Sequence, residues 1–438
     1  MEHELFCGAA CRLITPPAEL LPHLHGLGGR SFVCVLDDLH LRVIALRAKE
    51  ETALIVSAEL DKVPWMEADV TALAQATGVG AQNILLFSTH CHTAPVTGYR
   101  PTEGPNDLRK KPPEVQEATR AYQDFLTQQL HAAAKEALAA LRPANLAVAK
   151  GTCYLNINRL RDYVVETPEG LRKRIGLGLA PEGPVDHTLL ALRFEDLSGQ
   201  PIAFLVNYAM HNVAMIGHDA DGHGGLGCSS DISGQVCQFM EQAHPGSVCA
   251  WSSGAAGDVN PMVSNEMIYP DPASGDYRPV PVPGKETAQA LCALLAANEY
   301  DDLRRALRSA PPAQDVYHIK GGSTCSHTPS RQPGVTYDIP MQALRIGSLM
   351  LVGIGGELYT ALGWQLQQAL PPAQVVIINH EKSLSANAGY ILDDATIARC
   401  AAANWDTNVP GTKCPLIRPG FVADDLIAHL HQLYRALF

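Results

Sequence analysis

The chain has 438 residues, with Lys+Arg 33 against Asp+Glu 45, a formal net charge of −12. That acidic balance excludes a general nucleic-acid binder, which needs a basic face for phosphates, and 46% hydrophobic against 18% charged residues excludes a disordered chain. No apolar run approaches the ~20 residues of a membrane span, the polar start Met1-Glu2-His3-Glu4 lacks a secretory pattern, and the 12 cysteines form no Cys-x-x-Cys pair, so reduced thiols and a cytoplasmic location are expected.

The first expected element is an edge strand over 5–16, closed by Pro16 and Pro17. Strand-like runs over 31–47 flank a turn at Asp37-Asp38, and 52–57 reads as a short buried strand. Val63, Met66, Val70, Leu73 and Ala74 give 61–77 a helical period. A strand at 83–90 follows, then a loop over 96–113 rich in Pro, Gly and charge, then a long amphipathic helix over 114–142 that ends before Pro143. Strands are expected at 145–155, 187–194, 201–209 and 248–251, and helices at 232–243, 284–297 and 301–308. The Pro- and Asp-rich stretch 261–283 reads as a long excursion, the kind that forms a lid or an interface; with 96–113 it is expected to shape a pocket mouth. Strands at 315–320, 341–346, 348–354 and 375–378, a helix at 358–370, an irregular stretch at 402–420 and a closing helix at 422–437 complete the chain. Strands alternate with helices but include hairpin-like pairs. The expected fold class is therefore α/β or α+β, with mixed β-sheets flanked by helices in a single large domain over 1–438.

Chemistry-bearing residues gather where apolar strands end. Leu85-Leu86-Phe87-Ser88-Thr89-His90-Cys91-His92 ends in two histidines. If the strand continued through them they would face one site roughly 7 Å apart. That spacing suits one metal ligand and one supporting or acid/base partner better than two ligands. Leu205-Val206-Asn207-Tyr208-Ala209-Met210-His211 again ends in His, and Leu351-Val352-Gly353-Ile354-Gly355-Gly356-Glu357 ends at a Glu expected to open a helix. Open sheets collect their sites at strand ends, and two His with one Glu form a standard catalytic zinc set that leaves a position for water.

Four further stretches say less. The small-residue loop Ser252 to Pro261 lets a ligand approach the backbone but lacks a P-loop Lys. Arg159 and Arg161 could clamp a carbonyl or carboxylate oxygen or lie on the surface. Tyr390 follows a buried strand. Residues 217–224, with His218 and His223, do not fit a calcium loop and read as either a second metal site or a flexible loop.

Taken in order, these motifs resemble the N-terminal catalytic domain of the neutral/alkaline ceramidase family over roughly residues 6–400. Ile14-Thr15-Pro16-Pro17 is similar to the family's opening, and Ser88-Thr89-His90-Cys91-His92-Thr93-Ala94-Pro95 to its Ser/Ala-Thr-His-Thr-His-Ser-Gly-Pro motif. Asn158-Arg159, His211, Ser230-Asp231 with Gly234, Gly257-Asp258-Val259 with Pro261, Gly356-Glu357 and Gly389-Tyr390-Ile391 follow in family order. The resemblance implies a zinc ion held by His90, His211, Glu357 and Tyr390, with His92 and Arg159 orienting the scissile carbonyl or its tetrahedral intermediate.

Two departures separate reaction class from substrate. Asn260 stands where the family has the Ser of Gly-Asp-Val-Ser-Pro, and an amide cannot be that nucleophile. The family's C-terminal immunoglobulin-like domain and secretion signal are also not expected here. The resulting expectation is a zinc-dependent hydrolase cleaving the C–N amide bond of a small or N-acylated substrate through a metal-activated water. Asn260 would hydrogen-bond substrate or that water, and Asp231 and Asp258 would orient ligands from behind. A zinc esterase or lactonase, an inactive ceramidase-like binding protein, and a metal-independent hydrolase using Cys91 beside His92 are the alternatives. No nucleic-acid partner and no membrane span are expected; a homo-oligomer is compatible with the sequence.

Overall fold

The computed structural model describes residues 4–98, 107–264, 268–270, 277–279, 284–311, 318–331, 333–370, 374–381, 389–407 and 417–438. Two mixed sheets organise it. The larger has eight strands in the order Val248–Ser253, Pro201–Tyr208, Thr188–Asp196, Arg142–Thr152, Leu5–Leu13, His40–Ala48, Glu51–Ala58 and Ile84–Ser88. Its interior pairs are antiparallel, and the pair at each end is parallel. Parallel neighbours need a crossover, supplied by helices Asp231–Ala243 and Glu67–Thr77. The second of these stops at Gly78, whose φ of 73° is the left-handed cap that glycine adopts without strain.

The continuous apolar runs follow from burial on both faces. Val43, Leu54, Val56, Ile84 and Leu86 pack against Tyr122, Leu126 and Leu130 of helix Pro113–Ala139. Their neighbours Ile44, Ile55, Leu85 and Phe87 point the other way, onto Leu344, Leu351, Val376 and Ile378 of the second sheet. That sheet runs Ile319–Pro329, Thr336–Ile346, Leu349–Ile354 and Gln374–Ile378. Helices Thr360–Gln368 and Val422–Leu437 cover its far face through Leu362, Leu366, Leu426 and Leu430. The α/β expectation with mixed sheets flanked by helices holds. Among the described residues no helix is long and apolar enough to cross a membrane, and the described cysteines are all free thiols.

Several elements differ from expectation. Lys285–Arg308 is one helix where two were expected, because no Pro or Gly interrupts it. Strands Ile319–Pro329 and Thr336–Ile346 are longer than the apolar runs that signalled them; Pro340 is tolerated because pairing with the next strand begins only at Met341. The hairpin Leu160–Thr167 with Gly170–Leu177 and the helix Asp394–Ala402, capped by Asp393, were not anticipated. In the 261–283 excursion a short hairpin pairs Ile268–Pro270 with Tyr277–Pro279, while most of that stretch, residues 99–106 of the 96–113 loop, 315–317 and 408–416 lie outside the described residues.

One buried charge cluster braces the large sheet. Arg42, 2% exposed, donates from Nη1 to Glu59 and from Nε to Glu241 Oε1 at 2.7 Å. Glu59 also accepts the His40 backbone N–H at 2.6 Å. Burial raises the Glu59 carboxyl, but the Arg42 guanidinium and His40 together outweigh it and hold the group below its usual value.

Candidate functional site

Strands from both sheets end at one place. Ile84–Ser88 leads into Thr89 to His92, Pro201–Tyr208 into His211, Leu349–Ile354 into Glu357, and Gln374–Ile378 into His380. The first two lie toward opposite ends of the eight-stranded order, so the sheet must curl to bring them together. Ser57 donates to the Trp251 carbonyl at 2.7 Å, and Cys91 bridges Asn212 in parallel. Asn212 then ties the two histidine loops, its Nδ2 donating to the Thr89 carbonyl at 2.5 Å and its Oδ1 accepting from Ser233 N–H at 3.0 Å.

The expected extended spacing of His90 and His92 does not occur. The strand stops at Ser88, and His90 turns at φ 60°. That turn brings the two Nε2 atoms to 2.9 Å. His380 at φ 64° and Asp231 at φ 55° share this unfavourable backbone region, and such strain recurs at functional sites.

The imidazole tautomers follow from their partners. His90 Nδ1–H donates to the Asp61 carbonyl at 3.1 Å, and His211 Nδ1–H to the Val259 carbonyl at 3.0 Å. A carbonyl only accepts, so each Nδ1 carries the proton and each Nε2 offers its lone pair. Both face Glu357: Oε2 is 3.3 Å from His211 Nε2 and 3.6 Å from His90 Nε2. Asp61 adds a second carboxylate, with Oδ1 3.3 Å from His90 Nδ1 and 3.7 Å from His92 Nε2. His90, His92 and His211 present ligand atoms within 4.8 Å of one another, and all three residues are buried.

Burial works against charge at Glu357, His90, His211 and His380. At Glu357 the His90 and His211 imidazoles outweigh it and hold the carboxyl well below its usual range. At His90 the Glu357 and Asp61 carboxylates outweigh it and raise the imidazole. Burial and then the Arg159 guanidinium lower His211; burial and then His90 push His380 well down.

Glu357 opens no helix. It lies in the short strand Glu357–Leu358, and helix Thr360–Gln368 begins three residues later. That strand pairs in parallel with Tyr390–Ile391, with Glu357 opposite Tyr390. The Tyr390 ring stacks 6.5 Å from His211, and the Arg159 guanidinium sits 5.5 Å above it. Arg159 is fully buried, donating from Nη1 to Asn260 Oδ1 at 3.1 Å and from Nη2 to the Gly257 carbonyl at 2.8 Å. So His90, His92, Arg159, His211, Asn260, Glu357 and Tyr390 are brought together. Asn387 and Ala388 lie outside the described residues.

Asp258 and Asp231 hold the loops that carry these groups. Asp258 accepts from Thr360 N–H at 2.9 Å, Thr360 Oγ1 at 2.8 Å and Asn158 Nδ2 at 2.8 Å, joining the Arg159 loop to the Glu357 turn. Asp231 accepts from the backbone N–H groups of Met215 at 3.0 Å and Ile232 at 2.8 Å, shaping the segment after His211. Burial pushes both carboxyls up to about 6.

The remaining motifs resolve simply. His218 Nδ1 meets the Met215 carbonyl at 2.6 Å and its Nε2 accepts from Gly227 N–H at 2.9 Å, while Asp219 and Asp221 accept from backbone N–H groups of their own turn. Cys91 donates to the Ser229 carbonyl at 2.9 Å, and burial pushes its thiol well above the usual range. A thiol held protonated is a poor nucleophile, which removes the support for a Cys hydrolase.

His380 and Asp61 are the residues the sequence reading missed. His380 obeys the same strand-end rule as His90 and His211, two residues past the apolar run Val375 to Ile378. Asp61 follows the strand Glu51–Ala58, but in sequence it opens the helical period over 61–77, which hides it.

No family model and no curated protein matches the chain. Among solved structures, neutral ceramidase from Pseudomonas aeruginosa matches with a TM-score of 0.69 at 14% identity, over 99% of this chain and 74% of that one. A ceramidase complexed with C2 matches with a TM-score of 0.67 at 14% identity, over 98% of this chain and 74% of that one. Identity this low speaks for the fold, and over nearly its whole length the chain carries the fold of the neutral ceramidases.

Proposed function

We propose that the chain is a zinc-dependent hydrolase cleaving the amide bond of a small or N-acylated substrate, as a single catalytic domain working in the cytoplasm. The observation that carries this reading is the convergence of two imidazole Nε2 atoms on one buried carboxylate, each imidazole having its Nδ1 committed to a backbone carbonyl. With zinc bonds of about 2.0–2.1 Å, tetrahedral ligand atoms lie about 3.3–3.4 Å apart. The separations of 3.3 and 3.6 Å fit that geometry. The shared fold supports the amide-bond assignment, since its solved examples above are ceramidases.

His90, His211 and Glu357 would hold the ion, with Tyr390, paired beside Glu357, as the fourth group. Zinc there supplies Lewis acidity and lowers the pKa of a water toward ~7. The residues do the rest. Arg159 binds the carbonyl oxygen and the negative charge that develops on it as water adds to the carbonyl carbon. His92 accepts the proton of that water and returns it to the leaving nitrogen as the C–N bond breaks. Asn260 positions Arg159 through its Oδ1.

Zinc content and a substrate panel test the reading. Purified protein should carry stoichiometric zinc, hydrolyse N-acyl amides, lose that activity to a chelator and regain it with zinc. Turnover that survives complete metal removal, or hydrolysis confined to matched esters, would sink it. Within that panel, Asn260→Ala should lower kcat/KM about 10-fold to 100-fold with zinc retained. An unchanged kcat/KM would remove Asn260 from the site.

A further inference from the structure

The hydrolytic scheme leaves His380 unused. It is 1% exposed, and its Nε2 has no hydrogen-bond partner among the described residues. A buried polar nitrogen without a partner is destabilising, and such groups persist where a ligand satisfies them.

His90, Glu357 and His380 present ligand atoms within 4.8 Å of one another, a second set beside that of His90, His92 and His211. The sets meet at His90, yet their members cannot all serve one ion. The His380 ring lies 6.4 Å from that of His211. The His90 and His380 rings are stacked, 3.8 Å apart at 11°. An imidazole lone pair lies in the plane of its ring. Two nearly parallel planes at this spacing do not meet on an ion about 2.0–2.1 Å from each nitrogen. Stacked rings address instead two positions side by side, and the 3.8 Å between their centroids lies inside the ~3.5–4 Å window of two-metal hydrolytic sites. Glu357 has two oxygens, which lets one carboxylate serve both positions; it lies 3.6 Å from His90 Nε2 and its ligand atom within 4.8 Å of that of His380.

We propose that the pocket binds a second divalent cation through His380 and the shared carboxylate of Glu357. This rests on the zinc reading for the first position. Imidazole with carboxylate suits zinc, cobalt or manganese over calcium or magnesium. A second ion supplies a second Lewis acid, so polarising the carbonyl and activating water need not fall to one centre.

The test is a titration of chelator-stripped protein with Mn²⁺, followed by electron paramagnetic resonance, with native mass spectrometry counting the ions. The unchanged protein should take two ions and give the signal of a spin-coupled pair. His380→Gln should take one and give a single-ion signal, with its far-ultraviolet circular dichroism unchanged. Two ions retained in His380→Gln overturns the assignment. One uncoupled ion in the unchanged protein also overturns it, and if chelator-sensitive amide hydrolysis persists the hydrolase reading stands. No ion at all overturns both. Should the variant not fold, the presence or absence of the pair signal in the unchanged protein decides.

Discussion

His211→Ala abolishes metal binding and activity together. In the intact site His211 Nε2 faces Glu357 Oε2 at 3.3 Å, and its Nδ1–H is anchored on the Val259 carbonyl. Truncation removes one of three converging ligand atoms and leaves the buried Glu357 carboxylate with less to stabilise its charge. A catalytic metal contributes several kcal/mol of transition-state stabilisation, so hydrolysis should fall on the order of 10³-fold or more. Zinc measured by mass spectrometry should fall below stoichiometry in the same preparation. His218→Ala is the control: it also removes a buried histidine, but one whose nitrogens bond only to backbone of its own loop. It should keep its zinc. A His211→Ala protein with full zinc and full turnover would place the metal elsewhere.

Arg42→Met destabilises the protein by about 3–5 kcal/mol, the usual result of leaving a buried charge without its partner. Urea unfolding measures it. Glu59, 1% exposed, loses the guanidinium that offsets its burial, and Glu241 loses a second contact. Adding Glu59→Gln should recover part of the loss, because the orphaned charge is then gone. The pH dependence has a definite sign. A carboxyl whose folded pKa is depressed contributes stability that is present above its unfolded pKa and lost as pH falls through the folded one. Arg42, with His40, depresses Glu59 from 4.5, so this contribution fades as pH drops below about 4.5, and Arg42→Met should lose most of that acid-side dependence. Equal stability of the two proteins at neutral pH would refute the bracing role.

How much of this was legible depended on whether the signal was local. His90, His211 and Glu357 were found because each follows an apolar run, and such runs are local. His380 carries the same signal but stands two residues beyond the apolar run, which ends at Ile378. The His90 to His92 distance was out of reach: alternation predicts an extended strand, whereas the chain turns at His90 with φ 60°. The hairpin Leu160–Thr167 with Gly170–Leu177 escaped notice because charged residues such as Arg161, Arg172 and Lys173 break up the alternation expected of a half-buried strand. The curl of the large sheet left no mark at all. It depends on contacts such as Cys91 with Asn212, which no window of sequence contains.

That same geometry fixes when the site comes into being. His90, His211, Glu357 and His380 lie at the ends of four separate strands, and apart from the step from Glu357 to His380 each pairing closes a loop longer than most small domains. Closing such loops costs entropy that only the completed sheets can offset. The ligand set is therefore complete only once both sheets have formed and docked, and an ion held there would meet a finished cage. Interactions made after the folding barrier slow unfolding and leave the folding rate nearly unchanged. Metal bound at this corner would be a latch on the native state, set last and released first.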